Sequence, residues 1–456
     1  MSRKRECACV FTDNIHLQVM EIDQTTYYDL SILHPDPAFS IIHQLNFCTT
    51  HGGSIKLQYL LTHPHHDLAK IIATQNTLKQ IIGVLNQWPD DISNGTLLVL
   101  EKFYGYAFDA IPKRNYAITV LTYRIFSNPD FTLAKYSITH FCNFLSGMQK
   151  LCVLLKPNAS PLIAPIIEKM EAKINTPVYQ QIISAKGIKL KDSTMLHFAH
   201  FLYHHSKSDI LELIEAFYTL DAFYSMAVAT QKKSLTFPVF THNNTPTIEA
   251  HQLYHILLKQ PVAYDIQMLP QGNFIFLTGA NMAGKSTFIK SVGLAVYLAH
   301  VGMGVPAASM KLSLFDGLLS NIQVQDNLAK GESYFFNEVQ RIKHTVLKIT
   351  DGKKWLVLID ELFKGTNIQD AMHCSTAVIK GLVKIKTSAF ILSTHLYEIA
   401  SDLKEYTNIT FRFFESSTSE EDLHFSYQLR DGISKDRIGY LILKKEKVID
   451  LLDGIK

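Results

Sequence analysis

The sequence predicts a two-part fold in which an all-helical region is followed by an α/β domain with a mainly parallel sheet. Two patterns along the 456 residues support this prediction. Over much of the first 235 residues, apolar residues recur three and four positions apart, which is the period of amphipathic helices. Beyond that point, short apolar runs alternate with helical segments, which is typical of buried parallel strands covered by helices. We therefore place the domain boundary near residue 235.

The composition indicates a folded globular chain of two to four domains, at about 150 residues per domain. Hydrophobic residues make up 47% and charged residues 19% of the chain, which excludes disordered and low-complexity proteins. The formal net charge is +3, so bulk charge indicates neither a nucleic-acid nor a membrane partner. The basic start of the chain lacks the apolar segment of a signal peptide, and the apolar stretch 292–308 is better explained as a buried helix. We expect a cytoplasmic protein without a membrane partner.

Cysteine and histidine usage gives no sign of a metal site. Six scattered cysteines in a large chain without an export signal indicate reduced thiols. Histidines cluster at His63–His66 and, at helical spacing, at His197, His200 and His204. Neither cluster has cysteine or carboxylate partners at zinc-like spacing, so we expect surface or interface histidines.

In the first region, the helical period is clearest from Pro37 to about Gln87, where leucine and isoleucine dominate the apolar positions. Similar patterns fill residues 133–155, 161–173 and 209–230, with Pro, Gly and Asn breaks between them. In the second region, the runs that predict strands are residues 235–240, 274–277, 355–359 and 389–392.

A phosphate-binding loop follows the second of these predicted strands. Residues 279–286 read G-x-x-x-x-G-K-S and are followed by a helical run, which is the context that a P-loop requires. The glycines let backbone N–H groups converge on phosphate oxygens, Lys285 supplies a charge to the β and γ phosphates, and Ser286 can hold Mg²⁺. The predicted ATP-binding residues are Gly279, Ala280, Asn281, Met282, Ala283, Gly284, Lys285, Ser286 and Thr287.

Two further strand ends carry polar residues that suit hydrolysis of a nucleotide. Asp360 and Glu361 end one strand, at the sheet edge where open α/β sheets place their ligands. Asp360 is suited to reach Mg²⁺, and Glu361 to orient or deprotonate the attacking water. Ser393-Thr394-His395 ends the next strand, and we expect His395 to sense the γ-phosphate. Lys285, Glu361 and His395 are therefore the predicted catalytic residues, and Ser286 and Asp360 the predicted metal ligands.

Together these three elements closely resemble the ATPase domain of the MutS family, and Asn281-Met282 within the loop is the discriminating detail. Residues 326–338 resemble the signature loop of that family. The resemblance implies that Gly331 and Ser333 act in trans, completing the site of a partner subunit. It also implies ATP and Mg²⁺ as cofactors, DNA as a partner, and a homodimer or a dimer with a related subunit. In a bacterium we would expect association with the nucleoid.

The resemblance extends to the helical region, through residues 20–30, 46–61 and 219–227. It implies a helical core domain over 1–235 with a shortened lever and clamp region at about 156–210. A P-loop ATPase domain over 236–425 and a short C-terminal helical dimerisation element over 426–456 follow. Relatives that recognise mismatches carry two further domains ahead of this core. Because the core begins within about twenty residues of Met1, we expect the mismatch-binding and connector domains to be absent.

Some motif positions depart from the family pattern. Phe363-Lys364 stands where Gly-Arg is usual, and Pro261 stands near where an aromatic residue commonly stacks on the adenine. Tyr264 precedes Asp265 where Asn-Asp is usual. These departures leave phosphate and Mg²⁺ chemistry intact and affect base selectivity and coupling between subunits.

The prediction is therefore an ATP-hydrolysing, DNA-binding dimer that resembles MutS and lacks the mismatch-reading domain. An alternative is a nucleotide switch of the same fold that acts on a protein partner without binding DNA, which the near-neutral charge favours. A small-molecule kinase is disfavoured, because Glu361 next to Asp360 and a strand-end His395 belong to hydrolysing enzymes.

Overall fold

The computed structural model describes residues 19–109, 111–113, 117–323, 334–418 and 423–434, together with Lys447, Val448 and Leu451. Helices dominate the described part of the chain before residue 235. These helices are α1 (Gln24–Asp29), α2 (Ile41–Gln44), α3 (His51–Thr62), α4 (Leu68–Val84), α5 (Asn94–Gly105), α6 (Ala117–Phe126), α7 (Asn128–Leu155), α8 (Ala164–Ile174), α9 (Pro177–Ser184), α10 (Asp192–His205) and α11 (Lys207–Lys232).

Side-chain hydrogen bonds cap the N-termini of α1 to α5, whereas α7 to α11 begin without such a bond. The Thr50 hydroxyl accepts a hydrogen bond from the Gly53 N–H over 3.1 Å and so caps α3, and Asp67 caps α4 in the same way through Ala69. Helix α7, the longest in the described chain, packs against α5, α8, α9 and α10. The predicted lever and clamp region therefore contains three short helices on the flank of α7.

The buried Asp221 of α11 ties that helix to the start of α3. Its carboxylate accepts hydrogen bonds from the backbone N–H groups of Thr49 and Thr50, each over 3.0 Å, and from both threonine hydroxyls. Gly53 approaches so closely that a Cβ there would lie 2.1 Å from the Asp221 carboxylate. Because a buried carboxylate needs such partners, this contact fixes the register of the two helices.

The rest of the described chain alternates strands and helices. The strands are β1 (Glu21–Ile22), β2 (Val239–Thr241), β3 (Ile248–Leu253), β4 (Tyr264–Met268), β5 (Phe274–Thr278), β6 (Ser309–Ser313), β7 (Gly317–Asn321), β8 (Trp355–Asp360), β9 (Ala389–Ser393), β10 (Ile409–Thr418) and β11 (Leu423–Asp431). The helices of this part are α12 (Lys285–Val301), α13 (Tyr334–Ile349) and α14 (Ile368–Leu382).

The main sheet has seven strands in the order β1-β7-β8-β9-β5-β10-β11. Every neighbouring pair is parallel except β10 and β11, which form an antiparallel hairpin. Strands β5, β8 and β9 are buried along their whole length, as the continuous apolar runs predict. Their carboxyl ends lie at one edge of the sheet. A smaller sheet, in the order β2-β6-β3-β4, lies beside it.

Two boundaries differ from the expectation. The predicted strand at 235–240 begins only at Val239, because the Leu235 N–H still bonds to the Thr230 carbonyl at the end of α11 and Pro238 has no N–H to donate. Residues 426–431, expected in a C-terminal helical element, instead belong to β11, because they pair with β10 up to Asp431. The residues after Ser434 that complete this element lie largely outside the described part.

The helical region and the sheet are also less separate than the sequence pattern suggests. Strand β1 pairs in parallel with β7 at the edge of the main sheet, through Glu21 opposite Gly317. Asp29 at the end of α1 is fully buried and accepts hydrogen bonds from the Ser320 hydroxyl and the Ile322 and Gln323 N–H groups. An expectation of helices alone before residue 235 therefore misses this strand.

A second contact between the two regions involves the segment His63–His66 and helix α12. The fully buried His300 on α12 faces the His65 carbonyl through Nδ1 over 2.9 Å, while its Nε2 accepts the Phe315 N–H over 3.2 Å. The ring is therefore neutral, with its proton on Nδ1. Burial lowers the pKa of His300 to about 4. His66 Nε2 lies 2.6 Å from the Asp316 carboxylate, so these histidines lie at an interface.

Candidate nucleotide-binding site

The phosphate-binding loop connects strand β5, which lies between β9 and β10, to the start of α12. Gly279 and Gly284 adopt left-handed backbone angles, with φ of 140° and 106°. A Cβ on Gly279 would lie 3.3 Å from the Cβ of Phe414, so both conformation and space favour glycine there. Met282 is left-handed as well and its side chain is 72% exposed. The loop therefore wraps around the N-terminus of α12, where an anion is stabilised.

Lys285 lies beneath the loop and is almost completely buried. Its Nζ donates to the carbonyl oxygens of Gly279 and Ala280 over 2.8 and 3.1 Å and lies 3.9 Å from Glu361 Oε1. Burial lowers the pKa of Lys285, and the carboxylates of Glu361 and Asp360 oppose that effect. The ammonium group thus lies between the loop and the acidic strand end, where phosphate oxygens can take over its hydrogen bonds.

The structure brings the two predicted metal ligands into direct contact. The Ser286 hydroxyl donates to Asp360 Oδ2 over 2.5 Å. The Ser393 hydroxyl at the end of β9 donates to Oδ1 of the same carboxylate, which is 7% exposed. A hydroxyl and a carboxylate held together at a phosphate-binding loop are the oxygen ligands that Mg²⁺ prefers, so this donor set fits the ion.

Glu361 occupies a strained turn directly after β8 and lies among three cationic or titratable groups. Its φ is 62°, and its N–H bonds to the Ser393 carbonyl over 3.0 Å. The Oε2 atom lies 3.3 Å from Lys364 Nζ and 3.8 Å from His395 Nδ1, which is longer than a hydrogen bond. His395, followed by Lys364 and Lys285, lowers the pKa of Glu361 to about 2 against the opposing effect of burial. The carboxylate is therefore ionised at neutral pH.

These side chains line one open cleft of about 650 Å³, a size that suits a small-molecule ligand. The inner wall is aromatic, because Tyr264 packs edge-on against Phe288 and Phe414 and is only 5% exposed. Tyr427 of β11 also lines the cleft, is 40% exposed and has a left-handed φ of 53°. A Cβ on Gly284 of the loop would lie 3.4 Å from its ring.

The structure brings most of the predicted site residues together. Those that line the cleft are Ala280, Asn281, Met282, Gly284, Lys285, Ser286, Thr287, Asp360 and Glu361. His395 is 52% exposed and reaches the cleft through Glu361. Ala283 and Gly279 belong to the loop itself. Gly331 and Ser333, predicted to act in trans, lie outside the described residues.

Three residues near this site had no predicted role. Tyr427 can be assigned to the site only once the β10–β11 hairpin is seen to lie beside the loop. Its spacing of four residues before Asp431-Gly432 is the feature of the sequence that could have pointed to it. The sequence marks Lys364 only as a departure from the family pattern. Glu338 on α13 is 5% exposed and accepts hydrogen bonds from the Lys364 and Gly365 N–H groups. Pro261 does not line the cleft, although its neighbours Gln260 and Val262 do.

Comparison with known proteins agrees with this geometry. The family model described as MutS domain V matches residues 275–449 and so spans the loop, Asp360, Glu361, His395 and Tyr427. Residues 275–449 therefore belong to a domain of the MutS family. The matched segment begins one residue after Phe274, the first residue of β5.

Curated members of the MutS family match about half of the chain. The DNA mismatch repair protein MSH3 of Candida glabrata is 31% identical over 252 residues, which cover 53% of this chain and 24% of the relative. The DNA mismatch repair protein MutS of Thermotoga maritima is 29% identical over 239 residues, covering 52% and 30%. MSH3 of Vanderwaltozyma polyspora is 28% identical over 299 residues, covering 61% and 28%. The matches therefore span about a quarter to three tenths of these relatives.

Outside the cleft, the described residues give no sign of a further ligand of the expected kinds. No three His, Cys, Asp or Glu side chains in the described ranges are arranged to hold a metal ion. His200 and His204 lie close on α10, with ring centroids 4.5 Å apart, but gather no third ligand. No helix within the described part of the chain has the length and hydropathy needed to cross a bilayer.

Proposed function

We propose that this chain hydrolyses ATP in a Mg²⁺-dependent reaction and uses the nucleotide state to control binding of DNA as a dimer. The observation that carries the hydrolysis proposal is the meeting of three elements at one sheet edge. Ser286 contacts Asp360, and Glu361 lies beside Lys285 within the same cleft. Binding alone requires only the loop. The ionised Glu361 next to the metal ligands favours hydrolysis over passive binding.

Each side chain has a role that follows from its position. Lys285 and the N–H groups at the start of α12 bind the phosphates. Ser286 and Asp360 would hold Mg²⁺, which supplies charge neutralisation on the phosphate oxygens. Ser393 orients Asp360 by donating to its other oxygen. The metal ligands are therefore oriented before any ligand binds.

Glu361 is suited to orient the attacking water and accept its proton. Its left-handed backbone directs the carboxylate back toward Lys285, which places it at the phosphate end of the cleft. Such backbone strain, about 1–3 kcal/mol, persists where the surroundings enforce it and is frequent at functional sites. His395 is positioned to influence Glu361 and the terminal phosphate together.

The base end of the cleft has a different aromatic residue from the one expected. Pro261 offers no stacking surface, but the 40%-exposed ring of Tyr427 borders the cleft beside the phosphate loop, where a Cβ on Gly284 would lie 3.4 Å from its Cδ1. A flat aromatic face can stack on a base whatever its hydrogen-bonding edge. We assign Tyr427 this role in the proposed function.

The dimer and DNA parts of the proposal rest on the family and on one surface. The names of the relatives describe DNA mismatch repair proteins. Helix α13, which follows the predicted trans residues, exposes Val339 next to Glu338, and Ile368 at the start of α14 is 68% exposed. Exposed apolar side chains beside a nucleotide site suit contact with a second subunit.

A hydrolysis assay with the Glu361→Gln variant tests the enzymatic part. The parent should release phosphate only with Mg²⁺. The variant should still bind ATP, hydrolyse it about 100-fold or more slowly, and accumulate as a stable dimer. A matched control is Glu405→Gln, because that carboxylate is exposed and remote from the cleft. Normal turnover by Glu361→Gln would exclude Glu361 as the base.

A titration with duplex, mismatched and four-way-junction DNA at several salt concentrations tests the DNA part. Phosphate contacts predict an affinity that falls steeply with salt. Absence of binding to all three DNAs at low salt would favour the second candidate, a nucleotide switch that acts on a protein partner. The net charge of +3 is the observation that favours this alternative.

A further inference from the structure

The buried carboxylate of Glu338 contacts the loop that follows the catalytic strand β8. Glu338 lies on α13, away from the cleft lining, and is 5% exposed. Its Oε1 accepts the Lys364 N–H over 3.1 Å, and its Oε2 accepts the Gly365 N–H over 3.3 Å. Both oxygens therefore bind the loop that follows the catalytic strand β8.

That loop has a conformation that needs external support. Glu361 and Phe363 both have left-handed backbones, with φ of 62° and 59°. For residues with a side chain this conformation costs about 1–2 kcal/mol each. The Ser393 carbonyl holds the first of them through the Glu361 N–H. The second is Phe363, and Glu338 binds the N–H groups of the two residues that follow it, Lys364 and Gly365.

Helix α13 supplies the remaining contacts to the loop. The Phe335 ring lies 5.7 Å from the Phe363 ring. Gly365 packs so closely on the helix that a Cβ would lie 2.9 Å from the Phe335 backbone nitrogen. The loop is thus attached to α13 by two hydrogen bonds and an aromatic contact, and Lys364 points from it to Glu361 over 3.3 Å.

We propose that Glu338 is a positioning residue, which holds this loop so that the Lys364 side chain keeps the contact with Glu361 that hydrolysis requires. Glutamine has the same volume but offers one acceptor and places an NH₂ group against a backbone N–H. The substitution Glu338→Gln therefore breaks one of the two hydrogen bonds and leaves a buried donor unpaired.

A double-mutant cycle tests this inference, which rests on the proposed function. Glu338→Gln should lower kcat about 10- to 100-fold while the Kd for ATP changes less than about threefold. In a Lys364→Ala background the same substitution should lower kcat less than about threefold, because its effect passes through Lys364. Equal effects in both backgrounds would overturn the inference.

The matched control is Asp130→Asn in the helical region. Asp130 is also a buried carboxylate, 7% exposed, and accepts one hydroxyl and one backbone N–H. Turnover should stay near that of the parent. An equal loss in this control would mean that removing any buried carboxylate slows the enzyme, which would also overturn the inference.

Hydrogen exchange in the nucleotide-free protein provides a test that does not depend on turnover. The amides of Lys364 and Gly365 should be protected in the parent, and Glu338→Gln should lose that protection. Rapid exchange in the parent would overturn the inference. If Glu361→Gln abolishes turnover but Glu338→Gln leaves it at the parent level, the positioning role of Glu338 is wrong and the proposed ATP hydrolysis still stands. If the parent does not hydrolyse ATP, the proposed function fails and the catalytic role of Glu338 fails with it.

Discussion

The Ser286 hydroxyl donates to Asp360 over 2.5 Å, although the two residues lie 74 positions apart in the chain. This contact joins the start of α12 to the end of β8, two elements that neighbour each other only because β5 and β8 flank β9 in a parallel sheet. The metal ligands therefore depend on sheet order as well as on their own motifs.

Removal of either predicted metal ligand should reduce the extent to which Mg²⁺ increases the affinity for ATP. We expect Ser286→Ala and Asp360→Asn to weaken Mg²⁺-dependent ATP binding about 10- to 100-fold, because each removes one oxygen ligand. The check is ATP affinity measured with and without Mg²⁺. A matched control is Ser291→Ala, because that buried hydroxyl on α12 only bonds the Thr287 carbonyl. Unchanged Mg²⁺ dependence in both variants would contradict the assignment.

Tyr427 should contribute to affinity for the base without affecting the chemistry. Tyr427→Ala should raise the Kd for ATP about 5- to 100-fold, in line with the loss of one stacking contact, whereas Tyr427→Phe should bind like the parent. Equilibrium binding of ATP and of inorganic triphosphate separates the two ends of the cleft, since triphosphate affinity should not change. Pro261→Ala is the control for the position that the family pattern would suggest. If Pro261→Ala lost affinity for ATP and Tyr427→Ala did not, Pro261 and not Tyr427 would be the residue that contacts the base.

The predicted trans residue can be tested by mixing defective subunits. Ser333→Ala and Lys285→Ala should each hydrolyse ATP slowly when alone. In an equimolar mixture, sites that combine an intact Lys285 with an intact Ser333 re-form, so part of the activity should return. Steady-state phosphate release from the mixture, compared with that from each variant alone, is the measurement. If no mixing ratio restores activity, the site is not shared between subunits.

His300 should make stability dependent on pH in the acidic range. Its pKa in the folded protein is about 4, below the ordinary value of 6.5, so the folded state holds the neutral ring. Between these values the unfolded chain binds a proton that the folded chain does not, and stability therefore falls as the pH drops from about 6.5 to about 4. The contribution of His300 amounts to about 3 kcal/mol.

Denaturant unfolding at several pH values tests this expectation. His300→Asn should be less stable than the parent at pH 7 and show a shallower loss of stability below pH 6.5. His255, whose burial lowers its pKa to about 4 as well, provides a comparison through His255→Gln, which should remove a separate part of the slope. Parallel curves for His300→Asn and the parent would show that the ring does not stay neutral in the folded state.

Local signals explain which parts of the site could be predicted from the sequence. The glycines and Lys285 of the loop, and the acids after β8, are encoded within a few residues by spacing and by the apolar strands before them. Tyr427 depends on the register of the β10–β11 hairpin. Glu338 depends on the left-handed backbone at Glu361 and Phe363, which directs two N–H groups toward α13. Such tertiary relationships leave no periodic trace in the sequence.

The strands of the fold also differ in whether the sequence alone could predict them. The buried strands β5, β8 and β9 could be predicted because both of their faces are covered and their apolar runs are continuous. Strand β1 could not be predicted, because two residues are too few for an alternating pattern and its pairing partner lies almost 300 residues away. The hairpin strand β11 mixes polar and apolar residues, since it is the last strand at the open side of the sheet.

The contact of Asp29 with β7 also bears on how this chain can be dissected. A fragment that starts at residue 236 would lose the carboxylate that accepts the Ser320 hydroxyl and the Ile322 and Gln323 N–H groups, and would uncover the β7 edge of the sheet. Unpaired strand edges promote aggregation. The change of sequence pattern near residue 235 therefore does not mark a suitable truncation site. We expect the two regions to unfold as one cooperative unit. Recombinant expression of the nucleotide-binding part requires residues 19–32 as well.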